Sequence, residues 1–350
     1  MYFSAEDIQY MRRCLELAVL GKGHCAPNPM VGSVVVHNKH IIGEGYHHHY
    51  GEAHAEVNAI HTVKDKTLLS SSALYVNLEP CSHVGKTPPC ADFIIQHRIP
   101  EVVIGIKDVN PQVSGRGIQK LLNAGCKVRI GCLEDECFDL NRRFITYMQQ
   151  QRPYVILKWA QSLDGYIDRI RKPGDVSEPT WINDKVDLAL VHKWRTEEPA
   201  IMVGTNTAIN DNPQLTARLW YGTNPLRIVI DRNLRLPDTL FLFDGTAKTI
   251  VFTAKEAENK ENIRYVRIDF SVNILSQILN YLYRQNIQSL IVEGGATLLQ
   301  SFIDHCLWDE ARIFYGDKIM GNGLKAPVLH ASPYSSDRLN SSTLVVYRNS

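Results

Sequence analysis

At 350 residues the chain exceeds the comfortable size of one hydrophobic core, so two domains are expected. Its 44% hydrophobic and 21% charged residues describe a globular protein, and a formal net charge of +1 offers no bulk attraction for a polyanion. No apolar run reaches the roughly 18 residues of a membrane span, and the N-terminal segment lacks a basic head, apolar core and cleavage site, so a cytoplasmic protein with neither a membrane nor a nucleic-acid partner is expected.

In chain order, Ser4-Ala5-Glu6-Asp7 reads as a capping box, and Ile8, Met11, Leu15, Ala18 and Val19 follow at helical spacing, predicting an amphipathic opening helix. Gly23 to Pro29 is turn-rich, and Val31 to Val36 with Ile41-Ile42 predicts a hairpin around His37-Asn38-Lys39. His47, His48 and His49 are consecutive, so they cannot all face one ion without strained backbone. His54-Ala55-Glu56 opens a segment that can run as a helix to His61, placing both side chains near a helix N-terminus, where free amides favour an anionic site. Ala73 to Leu78 is a short apolar strand that runs into Glu79-Pro80-Cys81, and the carboxyl end of a strand is where open α/β sheets place their sites.

His54, Cys81 and Cys90 offer one imidazole and two thiols, the ligand set of a catalytic zinc centre with its fourth position open to water. Glu56 is the candidate proton shuttle, and His-x-Glu followed by Pro-Cys and a second Cys is the pattern of zinc nucleobase deaminases. Zinc lowers the pKa of bound water from about 15.7 to about 7. The usual Pro-Cys-x-x-Cys is widened here: the interval His83-Val84-Gly85-Lys86-Thr87-Pro88-Pro89 places His83 and Lys86 beside the metal, as a polar, phosphorylated small molecule would require. The six other cysteines, at 14, 25, 126, 132, 137 and 306, are expected as reduced thiols.

Cys-x-His-x-Gly-x-Thr-Pro-Pro-Cys resembles the bifunctional riboflavin biosynthesis deaminase/reductase family, and the resemblance spans nearly the whole chain. It implies a cytidine-deaminase-like three-layer α/β/α domain over residues 1–150 and a dihydrofolate-reductase-like α/β domain over 151–350. By the same resemblance Asn28 and His47 contact the deaminase substrate, His48 and His49 are loop residues, and Asp108 and Asn110 flank the pocket as ribose or ring contacts. Val102 to Ile106 reads as a buried strand, Gly117 to Ala124 as a helix, Cys126 to Ile130 as a strand and Leu133 to Met148 as one closing helix.

Gln149 to Pro153 is polar and ends in proline, which marks the domain boundary before the apolar strand Tyr154 to Trp159. Residues 166 to 179 are rich in charge and turn formers, and Pro179 stands where the resembled reductases often carry a serine, so that serine's substrate role is not transferred. His192 to Arg195 closes a helix and Ala200 to Gly204 is a strand. Gly204-x-x-Thr207-x-x-x-Asp211-x-Pro213-x-Leu215-x-x-Arg218 is the most specific motif of this half. Leu226 to Ile230 is a strand. Ser289 to Glu293 is a strand running into Gly294-Gly295 and a helix, a start whose amides can hold a pyrophosphate, although it is not the Gly-x-Gly-x-x-Gly of a Rossmann domain. The resemblance assigns Ala160, Trp181, Thr207, Asp211, Gly295, Ala296, Thr297, Leu298, Leu299, Gln300 and Ser301 to NADPH, and Arg195, Leu215, Arg218 and Glu293 to substrate. Guanidinium groups suit a phosphate because they bind it through paired hydrogen bonds and stay charged.

The expected enzyme removes the ring amino group of 2,5-diamino-6-(5-phosphoribosylamino)pyrimidin-4-one with zinc, then reduces the ribosyl chain to ribityl with NADPH. A homo-oligomer acting on a phosphorylated pyrimidine is the expected assembly. Three alternatives remain at this point. A nucleic-acid base deaminase with an appended binding domain would need a basic surface that the near-neutral charge does not suggest. A metal-stabilised binding module would have no use for Glu56. An active deaminase with an inactive C-terminal domain is left open by Pro179.

Overall fold

The computed structural model describes residues 2–82, 88–110, 114–172 and 175–349. The chain divides into two compact units, Met1–Gln151 and Arg152–Ser350.

In the first unit the elements are α1 (Ala5–Val19), β1 (Gly32–His37), β2 (His40–Tyr46), α2 (Ala55–Thr62), β3 (Ala73–Leu78), α3 (Cys90–Gln96), β4 (Glu101–Ile106), α4 (Arg116–Asn123), β5 (Lys127–Ile130), α5 (Glu134–Leu140) and α6 (Arg142–Gln150). The sheet runs β2-β1-β3-β4-β5, antiparallel through β2, β1 and β3 and parallel from β3 to β5. Strand alternation sorts the core onto two faces. Val35, Leu74, Val76, Val102 and Ile104 pack with α2, α3 and α4. Val34, Val36, Tyr75 and Val103 pack with α1, α5 and α6. The result is the expected three-layer α/β/α arrangement. The capping box forms, with the Ser4 hydroxyl accepting from the Asp7 amide and the Asp7 carboxylate accepting from the Ser4 amide. The hairpin turns through Asn38 and Lys39, both at positive φ, as a two-residue turn between right-twisted strands requires.

One expectation is corrected. The segment from Leu133 to Met148 is not one helix: α5 ends at Leu140 and α6 starts at Arg142. Asn141 sits between them and spends its side chain on Met30, accepting from its amide at 2.8 Å and donating to its carbonyl at 3.0 Å. A buried asparagine bonded this way satisfies a distant loop in place of its own helix.

The second unit holds β6 (Tyr154–Gln161), β7 (Tyr166–Asp168), α7 (Lys185–Glu197), β8 (Ala200–Val203), α8 (Thr205–Asp211), β9 (Leu226–Ile230), β10 (Thr249–Thr253), β11 (Ile263–Arg267), α9 (Ile274–Arg284), β12 (Ser289–Val292), α10 (Ala296–Asp304), β13 (Glu310–Gly316), β14 (Leu324–Lys325), β15 (Pro333–Arg338) and β16 (Ser342–Arg348). Its nine-stranded sheet has the order β11-β10-β9-β8-β12-β6-β13-β16-β15. It is parallel from β11 to β13, and β16 and β15 complete it antiparallel. Strands β6, β8, β9, β10 and β12 bury apolar residues on both faces, with α9 and α10 packed on one side and α7 and α8 on the other. Buried parallel strands take this near-continuous apolar composition.

Asp7 joins three elements of the first unit. Arg129 of β5 donates to both its oxygens at 2.7 and 2.6 Å, and Tyr75 of β3 adds a bond at 2.7 Å. Arg129 holds the Asp7 carboxyl well below the usual carboxylate range. Asp7→Asn should therefore destabilise the first unit by about 2 to 3 kcal/mol, read as a lowered urea midpoint. Because the folded-state pKa is depressed, this contribution is complete above the ordinary carboxyl value of about 3.9 and is lost as pH falls below it.

Candidate active sites

In the first unit three element ends converge. His54 is the N-cap residue of α2 in extended conformation, Cys90 is the first residue of α3, and Cys81 follows β3. Their ligand atoms all lie within 4.8 Å of one another. His54 Nδ1 is 3.5 Å from Cys81 Sγ and 3.3 Å from Cys90 Sγ. Around a tetrahedral zinc, bonds of about 2.05 Å to nitrogen and about 2.3 Å to sulfur place nitrogen and sulfur about 3.5 Å apart, so the imidazole stands from each thiol at the spacing a shared ion requires. Hydrogen bonds from Cys90 and His54 push the Cys81 thiol down, towards the thiolate that a metal needs. Glu56 is 3% exposed in the first turn of α2, two residues from His54. Burial pushes its carboxyl up to about 7.

Asn28 and His47 meet beside this triad. The Asn28 amide lies 3.0 Å from His47 Nε2, His47 Nδ1 lies 3.1 Å from the Ala53 carbonyl, and the His47 ring stands edge-on to His54 at 5.3 Å. These bonds suit one neutral tautomer, with Nδ1–H donating to Ala53 and Nε2 accepting from Asn28, and burial lowers the His47 pKa in the same sense. His48 stacks on Tyr46 and His49 pairs with Glu52, both in the loop. His83 and Lys86 lie outside the described residues. Asp108 and Asn110 follow β4, with Asp108 buried and its carboxylate accepting from the Asn110 amide at 2.8 Å.

Glu79 was not singled out as a site residue, yet it organises this corner. Its carboxylate accepts from the backbone amides of Asp108 at 3.2 Å, Gly115 at 2.9 Å, Gly117 at 3.0 Å and Ile118 at 3.2 Å. Gly117 completes the fit, since a Cβ there would lie 1.9 Å from the Pro80 carbonyl oxygen. The loop after β4 and the start of α4 are thus fastened to the turn that carries Cys81.

In the second unit a cavity of about 800 Å³ opens where β6, β12, β8 and β9 end. Ala160, Trp181, Thr207, Asp211, Gly295, Ala296, Thr297, Leu298, Leu299 and Ser301 line it, together with Arg195, Leu215, Arg218 and Glu293. Gln300 does not. Its amide is turned to Asp304 and to the backbone of Val328, because consecutive helical residues cannot all face one side. Gly294 takes φ +148, a conformation L side chains rarely adopt, and its carbonyl accepts from the Gly204 amide at 3.2 Å. A Cβ on Gly295 would come 3.0 Å from Thr207 Oγ1, so these glycines let the starts of α8 and α10 lie side by side.

The arginine expected to take a phosphate is already engaged. Arg195 donates to both oxygens of Glu293, at 3.2 and 2.7 Å, and to the Thr216 carbonyl at 3.0 Å. Against the penalty of burial, Arg195 and Lys158 hold the Glu293 carboxyl down at about 2. Lys158 lines the same wall, and burial lowers the pKa of its ammonium. A lone charge in the apolar run 154–159 was the signal that could have found it. Arg218 has no carboxylate partner among the described residues, and burial with the nearby Arg195 lowers its pKa. Asp211 pairs with Arg171 at 2.9 Å, and Arg171 also holds Asp168. Burial still pushes the Asp211 carboxyl up to about 6. The hydroxyl of Thr180, beside Pro179, bonds Asp168.

If Glu79 fastens the loop, Glu79→Gln turns an amide group toward two backbone donors. Hydrogen exchange at 108, 115, 117 and 118 should then accelerate by about tenfold or more, while zinc binding at one ion per chain is retained. Unchanged exchange would remove this role.

Residues 4–106 match the model for the cytidine and deoxycytidylate deaminase zinc-binding region, and residues 153–343 match the RibD C-terminal domain. The riboflavin biosynthesis protein RibD of Aquifex aeolicus is 41% identical over 91% of this chain and 89% of its own length. That of Bacillus amyloliquefaciens is 37% identical over 93% and 89%. The crystal structure of a diaminohydroxyphosphoribosylaminopyrimidine deaminase/5-amino-6-(5-phosphoribosylamino)uracil reductase from Thermotoga maritima superimposes with a TM-score of 0.89 at 40% identity, covering 98% of both chains. A zinc-binding deaminase region, a reductase domain and full-length relatives coincide in one chain, which therefore belongs to the RibD family of bifunctional riboflavin biosynthesis proteins.

Proposed function

We propose that residues 1–150 carry out the hydrolytic deamination of 2,5-diamino-6-(5-phosphoribosylamino)pyrimidin-4-one and residues 151–350 the reduction of the resulting 5-amino-6-(5-phosphoribosylamino)uracil to its ribityl form. The observation that carries the first assignment is the meeting of His54 Nδ1, Cys81 Sγ and Cys90 Sγ with the buried Glu56 two residues along α2. Zinc is the cofactor of this unit, and it supplies Lewis acidity that makes hydroxide available at neutral pH.

Glu56 accepts the proton of the attacking water, passes it to the ring nitrogen, and supports protonation of the departing amine. The new bond joins water oxygen to the ring carbon, the carbon–nitrogen bond breaks, and ammonia leaves. Asn28 and the neutral His47 form a fixed polar wall for the pyrimidine ring, and His83, Lys86, Asp108 and Asn110 complete the reading of the phosphoribosyl part.

In the second unit NADPH supplies the hydride, so the chain must orient the open ribosyl carbonyl and provide a proton for its oxygen. Lys158 fits that second task. It is an ammonium in the cavity wall, destabilised by burial and kept near Glu293, which Arg195 holds ionised. Arg218 takes the substrate phosphate and Leu215 packs the ring. Thr207, Asp211, Trp181, Ala160 and the start of α10 form the cofactor's bed. No described helix is long and apolar enough to cross a membrane. The homo-oligomer expected from the resemblance is read directly by sedimentation of the purified chain.

Incubation with the diaminopyrimidine phosphate should release ammonia without NADPH, and addition of NADPH should then start its oxidation. Cofactor oxidation with no prior ammonia release would contradict the order of steps. Glu56→Gln should lose deamination by about 10²- to 10⁴-fold with zinc content unchanged, while reduction of the uracil supplied directly persists. Lys158→Met should lower reduction by about 10²-fold or more, with ammonia release and NADPH binding intact. Loss of NADPH binding would instead assign Lys158 to the cofactor.

A further inference from the structure

We infer that Arg171 is a positioning residue of the second-unit cavity: it bridges Asp168 and Asp211 from behind the wall, so that a wall built of two carboxylates accepts a cofactor that carries phosphate. The inference rests on the reading of that cavity as the NADPH site.

Asp168 and Asp211 both line the cavity, and Arg171 does not. Its guanidinium is 13% exposed, and its donors are taken up by the chain. Nε and Nη2 donate to Asp168 at 2.8 and 3.1 Å, Nη2 also donates to Asp211 at 2.9 Å, and Nη1 donates to the Asn210 carbonyl at 3.1 Å. Among the described residues no other side-chain cation pairs with either carboxylate. A side chain so occupied is not a ligand group. Its charge acts on the ligand through the two acids it holds.

Asp168 Oδ1 and Asp211 Oδ1 accept from the same nitrogen, so they are no further apart than about 6 Å, a range in which charges act on each other's ionisation. Two carboxylates against one guanidinium leave this wall one negative charge in excess. Burial pushes the Asp211 carboxyl up to about 6, a rise that Arg171 opposes and Asp168 reinforces. Without the cation, the two acids would face each other and an incoming phosphate from a partly buried wall, where like charges repel. Elsewhere in the lining Arg195 holds Glu293 by both oxygens, the same device applied to a single acid.

Charge and mechanical latch are separable in this fold. Asp168 is the last residue of β7 and pairs with Leu324 of β14, and Asp211 is the last residue of α8, so regular elements carry both acids. The stretch after β7 has a second tie to α8, with the Ser177 hydroxyl donating to the Ile209 carbonyl at 2.5 Å, and the Thr180 hydroxyl bonds Asp168. Both donors are neutral hydroxyls, and they remain when the guanidinium is removed.

Fluorescence titration of the full chain with NADPH tests the charge apart from catalysis. Arg171→Met, which keeps bulk without charge, should weaken NADPH by about tenfold or more, and in steady state KM for NADPH should rise while kcat stays within about threefold. Adding Asp168→Asn to Arg171→Met should restore affinity to within about threefold of wild type, because the wall then carries the wild-type net charge. Arg171→Lys keeps the charge but cannot fork across both acids, and should fall between wild type and Arg171→Met. Unchanged affinity in Arg171→Met, no recovery in the double variant, or a Lys variant as weak as the Met variant would leave Arg171 a latch at most; each overturns the inference. If Arg171→Met does not fold, Asp168→Asn alone decides: it should tighten NADPH by about threefold or more, and unchanged or weaker binding overturns the inference. Failure of the wild-type protein to bind NADPH would instead overturn the reading of the cavity.

Discussion

The first unit depends on holding one imidazole nitrogen and two sulfurs a few ångströms apart when no two of them are neighbours in the chain. Each comes from the end of a regular element, so each backbone is fixed by packing well away from the ligand. The cost of assembling the site is then borne by the layered core, whose two faces of β1, β3 and β4 are covered on both sides. Two of the ligands sit at helix starts, where amide dipoles favour thiolate and carboxylate. Burial in the same corner raises the Glu56 carboxyl.

The second unit solves a different electrostatic problem. On the proposed reading, a substrate and a cofactor that both carry phosphate share one cavity whose lining includes a carboxylate, Glu293. Neutralising that carboxylate internally with Arg195 leaves the wall polar without leaving it repulsive. The Arg171 contacts with Asp168 and Asp211 act similarly at the other wall, where a residue from the irregular stretch after β7 locks onto α8. Positive φ at Gly294 and the space above Gly295 allow the starts of α8 and α10 to lie side by side.

Many elements were legible from periodicity because strands such as β1, β3, β4, β8 and β12 are buried, whereas the exposed β14 and β15 carry no such pattern and went unread. The zinc triad was legible because its chemistry is rare and its order specific. What escaped was long-range. The break at Asn141 depends on a partner more than a hundred residues away, Met30, and helical spacing on either side gives no sign of it. Glu79 reads as the end of a strand until Gly115 and Gly117 are seen to converge on it, and Arg171 reads as one charge among several in a turn-rich segment. Gln300 shows the converse limit: a continuous run assigned to a ligand cannot all face it once the run is helical.

Glu79 also bears on how the deaminase could be redesigned. The peptide after β4 is not a free insertion on the scaffold, because Asp108 at one end and Gly115 at the other both donate to a single carboxylate, Glu79, two residues from Cys81. A graft meant to widen substrate range could vary what lies between Asp108 and Gly115, but it would have to reproduce both junctions and keep a side-chain-free residue at 117.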